Sequence, residues 1–228
     1  MIENKTQFYT GLGLMAGFIV VLIVFFSPVF GGQNGLNFLD NLYNSISKGS
    51  AYYIPKVKKE AEGYEGKAIS VTIRMADQQQ AEEVLKLFEA PNAGVSHSGP
   101  QLTIDGDLGL VLANCLSDAD EMYYNRGESL SAKYGYDARR AMYNWWKALK
   151  ETEKELKRQE RFKDASIIDL TISKAVESAY NYYGIEPQKI TDRLGIVIGS
   201  LLFYVIYTVW YGFAFMYMFQ GWGMKLEH

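Results

Sequence analysis

The sequence predicts an α+β protein, predominantly helical, in which two transmembrane helices flank one soluble domain. That domain is expected to hold a small, about three-stranded sheet and a long helical hairpin. Three observations lead there. No residue is charged from Thr6 to Leu39, nor from Leu194 to Met224. The 154 residues between, Asp40 to Arg193, carry all but four of the 49 Asp, Glu, Lys and Arg side chains. Within that stretch one segment alternates apolar and polar residues, while the others repeat apolar residues at helical spacing. The mean hydropathy of -0.12 is therefore a cancellation between two compositions. The net charge of -3 belongs to the middle region, with 24 acidic and 21 basic residues, because Glu3 balances Lys5 and Glu227 balances Lys225.

The first element, residues 8–30, is a run of 23 residues broken only by Gly, Thr, Ser and one Pro. A helix needs about 20 apolar residues to cross a bilayer. Pro28, followed by Gly31-Gly32, ends it. The run is too long for the apolar core of a cleavable signal peptide, about 7–15 residues, and no Ala-x-Ala pattern marks a cut. The last element, residues 194–219, is a second span by the same argument.

Two spans put both tails on one side and residues 33–190 on the other. Lys5 and Lys225 on the tail side tie with Lys189 and Arg193 on the domain side. The short tail before the first span has the form of an uncleaved signal-anchor. That form favours tails inside and the domain outside, and the expected location is a bacterial inner membrane with the domain extracytoplasmic. Leu226-Glu227-His228 is either native or the start of a purification tag.

Each span carries a Gly-x-x-x-Gly, Gly13 with Gly17 and Gly195 with Gly199, where another helix can approach closely. In an antiparallel pair the two motifs sit in opposite leaflets and cannot meet, so their expected partner is another integral membrane subunit or a second copy. The second span also holds Ser200, Tyr204, Tyr207, Thr208 and Tyr211 on one face about 100° wide. This intramembrane polar face is expected to pack against neighbouring helices, with a quinone or lipid headgroup as the sharper alternative.

Between the spans, residues 36–47 repeat Leu36, Leu39, Leu42, Tyr43 and Ile46, an amphipathic helix expected at the membrane interface. Gly49 to Pro55 is expected to break it. Residues 67–105 form a strand–helix–hairpin unit. Ile69, Val71, Ile73 and Met75 alternate with polar residues in a half-buried strand. Asp77 caps a helix whose inner face is Ala81, Val84, Leu85 and Phe88, with Gln80 completing a capping box. Pro91 stops it, and residues 94–96 and 101–104 flank the turn Ser98-Gly99-Pro100.

Residues 107–184 read as helical. Asp105-Gly106-Asp107 is a turn plus cap. Leu108, Val111, Leu112, Cys115, Ala119 and Met122 form one apolar face, so Cys115 is expected to be a buried packing residue. Asp137 starts a long helix to about Phe162, with a narrow seam of Ala141, Trp145, Leu149, Thr152 and Leu156 and a charged back. Glu153 with Lys157 is a favourable four-apart pair, Lys150 with Lys154 an unfavourable one. The narrow seam suggests a hairpin standing partly in solvent, turning at Lys163-Asp164 and returning to Tyr183, with Gly184 as C-cap. Tyr52, Tyr53, Tyr180, Tyr182 and Tyr183 are expected as interfacial anchors.

Chemistry is thin. Neither span contains Asp, Glu, Lys, Arg or His, which excludes an ionisable relay or a histidine haem ligand supplied by this chain alone. One cysteine excludes a self-held iron–sulfur cluster. His97 reads as a turn residue, and Asp118, Asp120 and Glu121 as a solvated helix face. Lys154, Lys157, Arg158, Arg161 and Lys163 are interrupted by Glu155 and Glu160, which gives nucleic-acid binding little support. No catalytic, cofactor-binding or metal-ligating residue is expected. What remains is a non-catalytic, membrane-anchored accessory or assembly subunit of a larger respiratory or transport complex. The alternative is an extracytoplasmic sensor or ligand-binding domain that signals through a membrane partner.

Overall fold

The computed structural model describes residues 2–91 and 93–224; Lys225 and the Leu226-Glu227-His228 tail lie outside the described residues. The chain is predominantly helical, with one three-stranded antiparallel sheet and two helices long and apolar enough to cross a membrane. It divides into two compact units, one made of residues up to Ile46 and from Pro187 onward, the other of Ser47–Glu186.

In the first unit α1 (Lys5–Phe26) begins where Asn4 accepts a hydrogen bond from the Gln7 amide at 3.1 Å. It starts three residues before the apolar run and stops at Ser27 rather than Phe30, because Pro28 cannot continue it. The partner helix, residues 194–221, lies antiparallel to it. Phe18 stacks on Tyr207 at 4.8 Å, Phe25 on Phe203 at 5.6 Å, and the Trp210 indole N–H donates to the Leu14 carbonyl at 3.0 Å. A helix in the core of a soluble protein would be covered, whereas here Ile23 is 62% and Ile206 61% exposed. Apolar surface of this extent suits hydrocarbon. The first three turns of α2 (Gly35–Ser50) belong to this unit.

In the second unit α2 ends at Ser50, within the expected break, and α3 (Ile54–Ala61) follows: Pro55 stands in its first turn, where its missing N–H costs nothing. β1 (Ala68–Arg74) buries Ile69, Val71 and Ile73, as the alternation requires. α4 (Gln78–Glu89) is capped by Asp77, which accepts from the Gln80 amide at 2.8 Å; its buried face uses Leu87 rather than Leu85. β2 (Gly94–Ser98) and β3 (Gln101–Asp107) form the hairpin, with Gly99 at φ +58° in the turn. The order is β1-β3-β2, and Asp105 and Gly106 extend the strand instead of turning.

α5 (Leu108–Tyr123) follows, capped by Asp107, with Cys115 and the whole expected stripe buried. A short helix not foreseen, α6 (Gly127–Tyr134), precedes α7 (Ala138–Arg158). α7 ends four residues early. Glu160 adopts φ +60° and the Arg161 amide bonds back to the Leu156 carbonyl at 2.9 Å, closing the helix before Lys163. Met142, Asn144, Ala148 and Glu153 are buried besides the expected seam, so α7 is a central core helix and not one arm of a hairpin in solvent. The return consists of α8 (Phe162–Thr171), a π-helical turn at Ile172–Val176, and α9 (Glu177–Tyr182). After a 3-10 turn at Ile190–Arg193, α10 (Leu194–Gly221) completes the first unit.

Candidate functional site

In the helical hairpin of α1 and α10 the backbones approach closely at Gly11 and at Gly221, which faces the Phe8 backbone. A β-carbon at Gly11 would stand 2.6 Å from the Met218 nitrogen and 2.8 Å from the Ala214 oxygen, both backbone atoms. Gly17 faces the Trp210 ring at 3.1 Å, while nothing lies within 4 Å of the positions a β-carbon would take at Gly13, Gly195 or Gly199. The two Gly-x-x-x-Gly motifs do not touch each other. The polar face is divided. Ser200 Oγ lies 2.6 Å from the Tyr43 hydroxyl, Thr208 donates to the Tyr204 carbonyl at 2.7 Å, and Tyr207 and Tyr211 lie against Phe18. Tyr204 is 65% exposed. None of the Tyr204, Tyr207 and Tyr211 hydroxyls has a hydrogen-bond partner among the described residues. A separate apolar groove of about 650 Å³ on α10 is lined by Leu14, Val205, Val209, Trp210 and Phe213 and includes none of that face.

In the second unit the polar groups withdraw into the core. Asp118 is 2% exposed, which corrects the expectation of a solvated face. It accepts from the Tyr134 hydroxyl, from the Trp145 indole N–H at 2.8 Å and from Lys133 Nζ at 2.7 Å, so α5, α6 and α7 meet on one carboxylate. Burial, then the Asp118 charge, pushes the Tyr134 hydroxyl well above the ordinary tyrosine range. Asn114 donates to the Leu87 carbonyl at 3.1 Å and so joins α4 to the same network. The signal was present, since Asp118 lies three residues after Cys115 and seven after Val111, on the buried stripe.

Asp120 and Glu121 are occupied rather than free. Asp120 accepts from Tyr52 at 2.7 Å and Lys58 at 3.1 Å, and Glu121 forms a two-pronged pair with Arg126 at 2.8 and 2.9 Å. Between α4 and α7, Glu83 accepts from Arg140 and Asn144, each at 2.7 Å. Burial raises the Glu83 carboxyl, but these donors outweigh it and hold the group below its ordinary value.

Lys48, at the end of α2, is 1% exposed and escaped notice in the sequence. Its ammonium donates to the Asn125 side chain at 3.0 Å and to the Tyr182 and Ile185 carbonyls at 3.1 and 2.6 Å. Asn125 accepts it from the left-handed conformation, φ +60°, which asparagine tolerates. Burial lowers the Lys48 amine against the opposing charge of Glu186.

Tyr52, Tyr182 and Tyr183, expected as membrane anchors, pack against the domain core, whereas Tyr53 and Tyr180 are exposed. Burial raises the Cys115 thiol well above its usual range, so it stays protonated and unreactive. His97 is exposed in β2, not in a turn. Among the described residues no group of three or more His, Cys, Asp or Glu side chains could hold a metal ion.

Two surface concavities of the second unit adjoin the aromatic face of α7 and the edge of β1. One, about 330 Å³, lies between α7 and α9 beside the π-helical turn. It is walled by Tyr143, Trp146 and Tyr180, and Glu177 in it accepts from the Trp146 indole at 3.0 Å. The other, about 550 Å³, runs between β1 and α7. Compared with protein-family models, with curated proteins and with solved structures, the chain matches none.

Proposed function

We propose that this chain is a non-catalytic, membrane-anchored accessory or assembly subunit of a larger membrane protein complex, of respiratory or transport type. In this reading α1 and α10 span a bacterial inner membrane on either side, in sequence, of an extracytoplasmic domain. The observation that carries it is the set of tyrosine hydroxyls on the polar face of α10. Three tyrosine hydroxyls lack partners within the hairpin, and lipid tails supply none. Gly195 and Gly199 leave room beside them for another helix, from a different integral subunit or a second copy. A quinone or lipid headgroup is the small-molecule way of meeting the same hydroxyls.

The test is purification from native membranes in mild detergent. A co-purifying integral membrane chain is expected, lost on Gly195→Leu with Gly199→Leu. A monodisperse monomer without companion chains refutes the proposal. Protease access in sealed vesicles reads the orientation.

A second reading, a ligand-binding domain that signals through a membrane partner, draws on the aromatic cleft at Tyr143, Trp146 and Tyr180. It requires a ligand that raises the melting temperature of the full chain and not of its Glu177→Gln variant.

A further inference from the structure

We propose that the outer edge of β1 is a docking site for an extended, acidic segment of another polypeptide, which adds to the sheet as a fourth strand. The ladder decides which peptide groups are free. The Leu108 amide donates to the Lys67 carbonyl at 2.8 Å, and the Met75 amide to the Pro100 carbonyl at 2.8 Å. In the register of β1 with β3 these are opposed pairs, and antiparallel pairs alternate between exchanging both bonds and exchanging none. Ile69, Val71 and Ile73 therefore turn their peptide groups toward β3, and Ser70, Thr72 and Arg74 turn theirs outward.

One outward group is already used in the way a new strand would use it. Gln159, after the end of α7, donates its side-chain N–H to the Ser70 carbonyl at 2.9 Å. The N–H and C=O of Thr72 and of Arg74 are taken up by no other described residue and open into the groove of about 550 Å³. Because these two residues are two apart, three residues of an incoming strand, at about 3.3 Å rise each, can exchange four hydrogen bonds with them. Sheet edges with a helix as the facing wall are a recurring seat for extended peptides.

Charge selects the occupant. On the groove wall Lys154 is paired with Glu151 at 3.7 Å and Arg158 with Glu155 at 3.2 Å. Arg74 and Lys147, which also line the groove, have no carboxylate partner among the described residues. A charged residue on an open edge deters pairing with another copy of the same edge, so the strand admitted is one of opposite charge. The proposal does not rest on the membrane reading, and either can fail alone.

The experiment uses the full chain in detergent and three labelled eight-residue peptides, followed by fluorescence anisotropy. One alternates valine and glutamate, one alternates valine and lysine, and one is the glutamate peptide N-methylated at alternate amides in either phase. The glutamate peptide is expected to bind, the lysine peptide at least about tenfold more weakly, and one N-methylation phase likewise. Arg74→Glu with Lys147→Glu reverses the preference between the acidic and basic peptides. Hydrogen exchange at the Thr72 and Arg74 amides is fast in the free chain and slows with peptide, whereas the Ile73 amide is slow in both. No binding of the glutamate peptide up to about 1 mM, equal binding of all three, or protection elsewhere than β1 would overturn the proposal.

Discussion

Replacing Asp118 by alanine removes the acceptor shared by α5, α6 and α7 and leaves two donors in the core. Trp145 is 0% and Tyr134 3% exposed, so neither can turn to water. A buried donor left without a partner costs about 1–3 kcal/mol, which gives about 2–6 kcal/mol for the pair. Lys133 adds little, because its side chain is 36% exposed and finds solvent.

The expected loss for Asp118→Ala is therefore about 2–6 kcal/mol. Trp145→Phe, which removes one bond to a charged acceptor, should cost about 1.5–3 kcal/mol from the hydrogen bond alone. The measurement is urea unfolding of the full chain in mild detergent, followed by circular dichroism and tryptophan fluorescence. In a double-mutant cycle, Asp118→Asn with Trp145→Phe should show coupling above about 0.5 kcal/mol. If Asp118→Ala costs less than about 1 kcal/mol, the carboxylate is an ordinary surface ion-pair partner and the argument from burial is refuted.

Two further outcomes follow from the geometry. Gly11→Leu drives a side chain into the α10 backbone and should separate α1 from α10, whereas Gly13→Leu, facing open space, should not; the readout is disulfide cross-linking between cysteines introduced at Phe18 and Tyr207. The Glu83 carboxyl is held below its ordinary value of 4.5, so its contribution is complete above that pH and is lost as pH falls through the lower folded-state value. Acid titration of stability should therefore be steeper for the wild-type chain than for Glu83→Gln, and parallel curves would show that Glu83 does not carry this linkage.

Much of the local structure was legible because it follows from short-range geometry. The alternation at Ile69, Val71 and Ile73, the caps at Asp77, Asp107 and Asp137, and the stripe through Cys115 all stand where the spacing puts them. The errors share a cause as well. Pro55 stands in the first turn of α3 and starts a helix, so the break after α2 is confined to residues 51–53. The end of α7 at Arg158 depends on a glutamate taking a conformation usually left to glycine, which no residue pattern announces. The breadth of its buried face depends on α4, α6, α8 and the sheet all packing around one helix.

The candidate site divides along the same line. Charge-free runs at residues 8–30 and 194–219 determine two helices suited to a membrane, because no partner is needed to make a run apolar. Only the tertiary structure decides that Gly11, and not Gly13, carries a close contact, since helix facing is set by where Phe18 meets Tyr207 and Tyr211. It alone decides that Asp118 and Lys48 lie in the interior. A carboxylate or ammonium can be buried only where donors or acceptors converge on it, and here those come from residues 15 to 137 positions away in the chain. Periodicity states which side of a helix turns inward. Which polar groups survive there is decided by elements that meet only once the chain has folded.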